Sequence, residues 1–468
     1  MARIRIIRLL AALLLGAVAA PTGGAAVRSA AHADSLPPTV VPAPSVPPDS
    51  SAIGAAIGAT MDDEEDDASQ TTPPDALIAP DGTLRLDGAF TGAVDLSGWH
   101  VTLDPERGPI FHPQSLTWDH LGTRPGAINN RVYAIAMSGG NVYVGGDFTD
   151  AGGDNAGNYL TRWNGSAFVS FGGGPVAALN DIVSAIAVSG TNLYVGGFFT
   201  DAGGRPDADY LARWDGQQWH PVGGGLTGPV FALAVAGSDL YVGGDFTNAD
   251  GDARIYLLRR TGAAFVSPGG AAAGALNAPV FALAVAGSDL YAGGFFTDAG
   301  GRPDADYLAR WDGQQWHPVG GGLTSSVFAL AIAGSDLYVG GFFTNAGGSG
   351  GTRHVARWDG QQWHPVGGGL NGPVRALAVA GFDLYAGGDF TDAGGGGGAR
   401  HVARWNGQQW HPVGGGLTGP VFALAVRGTE AYAGGNFFTA GGDPRANFAA
   451  VAGARAGEKQ VYLPLITR

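Results

Sequence analysis

From residue 132 onward, hydrophobic and polar positions recur in one fixed order. Val230-Phe231-Ala232-Leu233-Ala234-Val235 mixes large and small apolar residues, the pattern of a short strand buried on both faces. Ala236-Gly237-Ser238-Asp239 predicts a tight turn, and Leu240-Tyr241-Val242-Gly243-Gly244 a second strand ending in a glycine pair. The third strand is clearest one unit earlier, as Tyr210-Leu211-Ala212-Arg213-Trp214, where Asp215-Gly216 is a hairpin signal. A fourth strand, Gln218-Trp219-His220-Pro221-Val222, follows, and Gly223-Gly224-Gly225 leads into the next unit.

The first strand of each unit begins at Val132, Val183, Val230, Val280, Val327, Val374 and Val421, so the period is 47 to 51 residues. Four short strands at such a period make one blade, and a single blade cannot hide both of its faces. The expected fold is therefore all-β: a seven-bladed β-propeller with four antiparallel strands per blade. The last unit ends near Ala449-Ala450-Val451 without its tryptophan-bearing fourth strand, and a matching piece, Leu116-Thr117-Trp118-Asp119-His120-Leu121-Gly122, precedes the first unit. Trp118 is thus expected in a strand that completes the final blade and fastens the chain ends together. The rival closing strand is Val461-Tyr462-Leu463-Pro464-Leu465, which matches the repeat less well.

Most repeated residues read as structural. Glycine pairs at 145/146, 196/197, 243/244, 293/294, 340/341, 387/388 and 434/435 suit close backbone approach or a bulge, since no helix follows them to make a phosphate loop. Tryptophans at 163, 214, 311, 358 and 405, and at 219, 316, 363 and 410, are expected between blades. The arginines beside the first set (162, 213, 310, 357, 404) are expected to satisfy loop carbonyls. His220, His317, His364 and His411 belong to the repeat, and His354 and His401 stand where other units carry Tyr159, Tyr210, Tyr256, Tyr307 or Phe448.

The chain ends change the setting. Arg3, Arg5 and Arg8, the apolar run 9–20 and Ala31-His32-Ala33 read as a secretion signal over 1–33. Residues 34–80, rich in Pro, Ser and Thr and carrying Asp62-Asp63-Glu64-Glu65-Asp66-Asp67, read as a disordered linker. A short β-rich segment at 81–115, the propeller at 116–457 and a tail at 458–468 complete the expected organisation. The absence of cysteine excludes disulfides and thiolate chemistry. A net charge of -14 argues against nucleic acid and anionic membranes as partners. A monomer, secreted or at the bacterial cell surface with no membrane insertion, is expected.

The least stereotyped segments are the loops between second and third strands, with Asp150, Asp201, Asn248, Asp298, Asn345 and Asp392 at matching positions and extra acids at Asp207, Asp209, Asp304 and Asp306. By strand direction these loops share a face with the connections into the innermost strands. The first expectation is that Asp and Asn there cap turns through their own side chains. The sharper one is a ligand-binding ring for hydroxyl-rich ligands or cations, calcium among them; no other cofactor is expected.

The strand-Gly-Gly, aromatic and Trp pattern resembles the Kelch and galactose-oxidase type of propeller repeat. Leu193 to Gly204, followed by Ala212-Arg213-Trp214-Asp215-Gly216, is similar to repeats of secreted bacterial propellers and of the fungal cortical cell-polarity marker, over roughly residues 116–455. The oxidase's copper centre does not carry over, because it needs cysteine. Asp215-Gly216-Gln217-Gln218-Trp219 resembles the Asp-box turn of sialidases but is one residue short and lacks its serine. Leu96-Ser97-Gly98-Trp99 and the Val461 to Leu465 ending resemble parts of secreted proteins of filamentous green non-sulfur bacteria, which implies an extracellular location and no activity. No nucleophile-base pair, carboxylate dyad or metal spacing stands out from the repeat. The expected function is non-catalytic: a binding or structural module for a protein or glycan ligand. The alternatives are a polysaccharide-active enzyme with two loop-face carboxylates close together, and a calcium-dependent adhesin.

Overall fold

The computed structural model describes residues 99–104, 108–113, 117–119 and 128–452, the last with short breaks at 154–156, 172–177, 248–253, 263, 270–275, 396–398, 428–429, 441–442 and 445–446. The expected leader at 1–33, linker at 34–80, tail at 458–468 and rival closing strand at 461–465 lie outside the described residues, as does Asn248.

Seven four-stranded antiparallel sheets form the repeated part, six of them with their strands in chain order from the inside outward. Blades 1 to 7 begin with the innermost strands Val132–Ser138, Val183–Ser189, Val230–Ala236, Val280–Ala286, Val327–Ala333, Val374–Ala380 and Val421–Arg427. Blade 2 is representative: Val183–Ser189, Asn192–Gly197, Leu211–Trp214 and Trp219–Pro221. The first five residues of its innermost strand are buried and the last two half-exposed, as the apolar run predicts. Gly190, at φ 57, supplies the left-handed turn into the second strand. At the outer hairpin the Asp215 carboxylate accepts the backbone N–H groups of Gln217 and Gln218 at 2.8 Å each, and His220 Nε2 lies 2.5 Å from its other oxygen. These hydrogen bonds hold the Asp215 carboxyl well below the usual range.

Blades stack through continuous apolar layers. Between blades 4 and 5, Ala282, Ala284 and Leu308 meet Val327, Leu330, Leu337 and Phe343. The glycine pair lets this happen: a Cβ on Gly196 would overlap Val230 of the next blade, and one on Gly197 would overlap the Ile182 carbonyl oxygen. Each pair also faces a register shift in the innermost strand, so close approach and bulge coincide at one place.

The ring closes as Trp118 foretells. The seventh sheet consists of Val421–Arg427, Glu430–Gly435, Phe448–Ala452 and the strand Thr117–Asp119. Trp118 is 6% exposed and sits against Gly414, as Trp363 sits against Gly320 and Trp410 against Gly367. Val132, Ile135 and Phe148 pack on Ala423, Tyr432 and Phe448 across the seam, and Asn447 Nδ2 donates to the Ile128 carbonyl at 3.3 Å.

Two details differ from the sequence reading. The residue matching Tyr210 in blade 7 is Asn447, not Phe448. Tyr210 and Asn447 both have left-handed backbone (φ 61 and 63), and their carbonyls accept from Gly197 and Gly435. Four of the five repeated arginines pair with the first residue of the second strand rather than with loop carbonyls. Arg310 donates to Asp289 at 2.6 Å, Arg357 to Asp336 at 2.7 Å, Arg404 to Asp383 at 2.9 Å and Arg213 to Asn192 at 2.7 Å. A charge-assisted bond to a side chain outcompetes a neutral carbonyl where both lie in reach.

A separate unit contains an antiparallel hairpin, Trp99–Asp104 paired with Gly108–Pro113.

Candidate functional site

The register shift in each innermost strand falls on its second residue. Val183 pairs with Gly197 and Ala185 with Gly196, leaving Ser184 as the extra residue; Tyr133, Phe231, Phe281, Phe328, Arg375 and Phe422 hold the same position in the other blades. A bulge re-aims its side chain, and here it brings these side chains together. Tyr133, Phe231, Phe281, Phe328 and Phe422 form one buried cluster. Ring centroids are 5.6 Å apart for Tyr133–Phe422, 5.2 Å for Phe231–Phe281 and 5.8 Å for Phe281–Phe328. The Arg375 guanidinium lies between Phe328 and Phe422, 5.7 and 5.5 Å from their centroids. Ser184, too short to reach a ring, donates to the Val230 carbonyl at 2.5 Å.

A second layer covers this one. The residue after each glycine pair, at the loop-face end of the second strand, is Asp147, Phe198, Asp245, Phe295, Phe342, Asp389 or Asn436, and all seven are half-buried. Direct contacts link the two layers, among them Phe198 with Phe231 at 5.9 Å and Phe295 with Phe328 at 6.1 Å. Phe281 meets Phe295 at 4.9 Å, Phe328 meets Phe342 at 6.0 Å, Arg375 Nε donates to Asp389 at 2.6 Å, and the Tyr133 hydroxyl donates to Asp147 Oδ2 at 3.4 Å. The axial mouth therefore has two sectors. Blades 2 to 5 supply Phe198, Phe231, Phe281, Phe295, Phe328 and Phe342, with Ser184 and Asp245 the polar members. Blades 6, 7 and 1 supply Arg375, Asp389, Asn436, Arg131, Tyr133 and Asp147, with Phe422 the apolar member.

The polar sector is electrostatically tense. Burial pushes the Asp147 carboxyl up to about 6, although Arg131 Nη1, 3.9 Å away, favours its charged form. The Asp147 side chain is 9% exposed, and its Oδ1 is buried with no hydrogen-bond partner. The Arg375 side chain is 4% exposed, and its Nη1 is likewise buried without a partner. Each such atom costs about 1–3 kcal/mol in a folded protein. Trp219 Nε1, Trp316 Nε1 and Arg404 Nε in the outer strands are orphaned too, so what sets the sector apart is that its two belong to charged groups beside the axis.

Of the loop residues singled out in the sequence, the described ones belong to neither layer. Asp201 and Asp298 have left-handed backbone (φ 54 and 52), and neither side chain caps the 3-10 turn that follows. Their backbone N–H groups donate to Asp209 and Asp306 at 2.8 and 2.9 Å instead. The backbone N–H groups of Asp150, Asn345 and Asp392 donate to Asn129, Thr324 and Asn371 on the incoming connections, at 3.2, 3.1 and 3.0 Å. Turn capping thus comes chiefly from other residues, because the incoming Asn or Thr already faces these amides. Among the described residues, no group of three or more His, Asp or Glu is placed to hold a metal ion. His354 and His401 are packing residues: Nδ1 of each lies 3.1 Å from the Gly341 or Gly388 carbonyl, and burial holds both imidazoles below their usual range.

Sequence reasoning missed the mouth. Its signal was present, in the single polar interruptions of one apolar column (Ser184, Arg375) and in the alternation of Asp and Phe after the glycine pairs. Phe438 was missed too. It stands two residues beyond Asn436 where other blades carry Thr149, Thr200, Thr247, Thr297, Thr344 and Thr391, and it is 74% exposed.

No protein-family model matches the chain, and no curated protein matches it. Solved structures do. The WD40 β-propeller domain of Doa1 is 10% identical, with a TM-score of 0.44, and the match covers 72% of this chain and 96% of that one. The computationally designed Ika8 protein is 15% identical, with a TM-score of 0.43, covering 71% of this chain and 99% of that one. A chain of a nidogen/laminin complex is 11% identical, with a TM-score of 0.34, covering 59% and 86%. These likenesses concern the fold.

Proposed function

We propose that this chain is an exported binding module whose ligand docks on the axial mouth of the loop face, without chemical turnover. The observation that carries the reading is the asymmetry of the mouth. Four of the seven blades place a phenylalanine on the axis, yet in blade 6 Arg375 sits in the cluster with an unpartnered buried donor. Repeat proteins gain stability from uniformity, so a costly departure that converges on one sector points to recognition. The aromatic sector offers dry contact and the polar sector a few directional groups, the usual composition of a ligand site. A protein or a glycan fits this composition, at a secreted or cell-surface location.

One observation favours a second reading. The raised carboxyl of Asp147 is the property a general acid needs. Its weakness as an enzyme is that the other polar-sector carboxylate, Asp389, is held by Arg375.

The test uses the chain from Ser35 onward, displayed against glycan and extracellular-protein arrays, as wild type, Arg375→Phe and Asp201→Ala. Arg375→Phe restores the residue of four other blades and should fold as well as wild type. The expected result is a ligand lost in Arg375→Phe and retained in Asp201→Ala. The reverse pattern would move the site to the outer loops, and release of reducing ends from any bound polysaccharide would replace binding with catalysis.

A further inference from the structure

We infer that the occupant of this mouth is a neutral sugar residue, stacked on Phe438 and hydrogen-bonded along the polar sector. The inference rests on the mouth being the binding site and adds the chemical class of what binds there.

Phe438 is 74% exposed on the loop face of blade 7, the middle blade of the polar sector. Chain geometry keeps its Cα within about 7 Å of that of Asn436, a member of the mouth. Its backbone is fixed: the Phe438 and Thr439 N–H groups donate to Thr418 Oγ1 at 3.1 and 2.9 Å. Phe437 beside it is fully buried, so the two aromatic residues face opposite ways and Phe438 is held outward. An exposed ring held rigidly beside polar groups is suited to a ligand with one C–H face and one hydroxyl edge, because the ring face is electron-rich and attracts polarised C–H groups.

Charge selects among such ligands. Asp389 is paired with Arg375 and Asp147 with Arg131, so the sector presents balanced charge. Its partly exposed polar groups, Asp389 and Asn436, face hydroxyl groups without the net field that would favour a carboxylate or an ammonium ion. Extent argues against a protein. The exposed large hydrophobic residues among those described are Val266, Phe382 and Phe438. Val266 lies in an outermost strand and Phe382 in the turn after the innermost strand of blade 6, at the other end of the strands. Among the described residues, neither of the other two exposed large hydrophobic side chains therefore adjoins Phe438 to extend it into an interface-sized patch. A ligand of about one or two sugar rings matches a single platform.

The experiment is isothermal titration of the chain from Ser35 onward with methyl glycosides of neutral hexoses and pentoses, and with glucuronic acid. Binding of at least one neutral glycoside is expected, weakened about tenfold or more by Phe438→Thr, with an unchanged melting temperature because the ring is exposed. Phe382→Ser, an equally exposed ring replaced by the residue of three other blades, should leave the affinity alone. Wild type that binds no neutral glycoside at millimolar concentration overturns the inference, as does binding indifferent to Phe438→Thr. A protein or uronate ligand that is lost in Arg375→Phe yet indifferent to Phe438→Thr would overturn the sugar while leaving the mouth as the site.

Discussion

The two sectors of the axial mouth use the same backbone for opposite ends. In blade 5 the bulge carries Phe328, and the second layer covers it with Phe342, ring on ring. In blade 6 the same two positions carry Arg375 and Asp389, an ion pair 2.6 Å long with the guanidinium between two neighbouring rings. The blades have the same strand boundaries relative to their starting valines and the same register shift, so the architecture does not require either solution. The difference shows that a ring and a guanidinium can fill the same place on the axis. The guanidinium does so with a carboxylate beside it.

That comparison breaks first, and hardest, by moving the charge. Phe328→Arg places a guanidinium where the covering residue is Phe342, so no carboxylate meets it. A buried charge with no partner should cost about 3–5 kcal/mol, read as a fall in the urea midpoint. Adding Phe342→Asp copies the blade 6 pair and should return about 1–3 kcal/mol as a positive coupling in the double-mutant cycle. No recovery would mean that Arg375 is tolerated for a reason peculiar to blade 6, and the equivalence of the sectors would fail.

The sequence made the seven units and the closing strand legible because both are matters of period and kind. Trp118 belongs to a phrase that the last unit lacks, and counting finds it. The mouth was not legible for a geometric reason. Strict alternation assigns Tyr133 and Arg375 to a blade face, and only the bulge turns them to the axis. A bulge is specified by pairing with the glycine pair of the neighbouring strand, not by the strand itself. Registration of Asn447 failed similarly: an aromatic neighbour, Phe448, was the better match in kind and the wrong one in position. The arginine partners were readable in principle. Asp239, Asp289, Asp336 and Asp383 recur at the period of Arg259, Arg310, Arg357 and Arg404, but pairing two columns requires knowing which strands are neighbours.

A smaller effect sharpens the contrast through pH. The Asp147 carboxyl is raised to about 6 by burial. The folded protein therefore holds this proton more tightly than the unfolded chain, and the stabilisation is full below the ordinary carboxylate range. It fades as pH rises through about 6. Between pH 4 and 7 this group should cost wild type up to about 2–3 kcal/mol. Asp147→Asn removes the titration, so its stability relative to wild type should grow with pH across that window and level off above it. The Asp215, Asp312 and Asp359 carboxyls are held below the usual range, so they act at lower pH and cancel in the difference. Parallel pH profiles for the two proteins would show that Asp147 is ionised without penalty and that the polar sector is wetter than its burial implies.

The smallest effect separates the ring of Tyr133 from its hydroxyl. Tyr133→Phe keeps the stack on Phe422, at 5.6 Å, and gives blade 1 the residue of four others, so the axis stays filled. What is lost is the hydroxyl that donates to Asp147 at 3.4 Å. A bond this long, to a carboxylate, should be worth about 1 kcal/mol at neutral pH, where Asp147 is charged, and less at pH 4, where it is protonated. Because that donor favours the ionised carboxylate, its removal should also move the Asp147 midpoint further upward, visible by NMR titration of the side-chain carboxyl. A loss equal at both pH values, with an unmoved midpoint, would mean the hydroxyl serves packing alone. Blade 1 would then belong with the aromatic sector, and the polar sector would shrink to Arg375, Asp389 and their neighbours in blades 6 and 7.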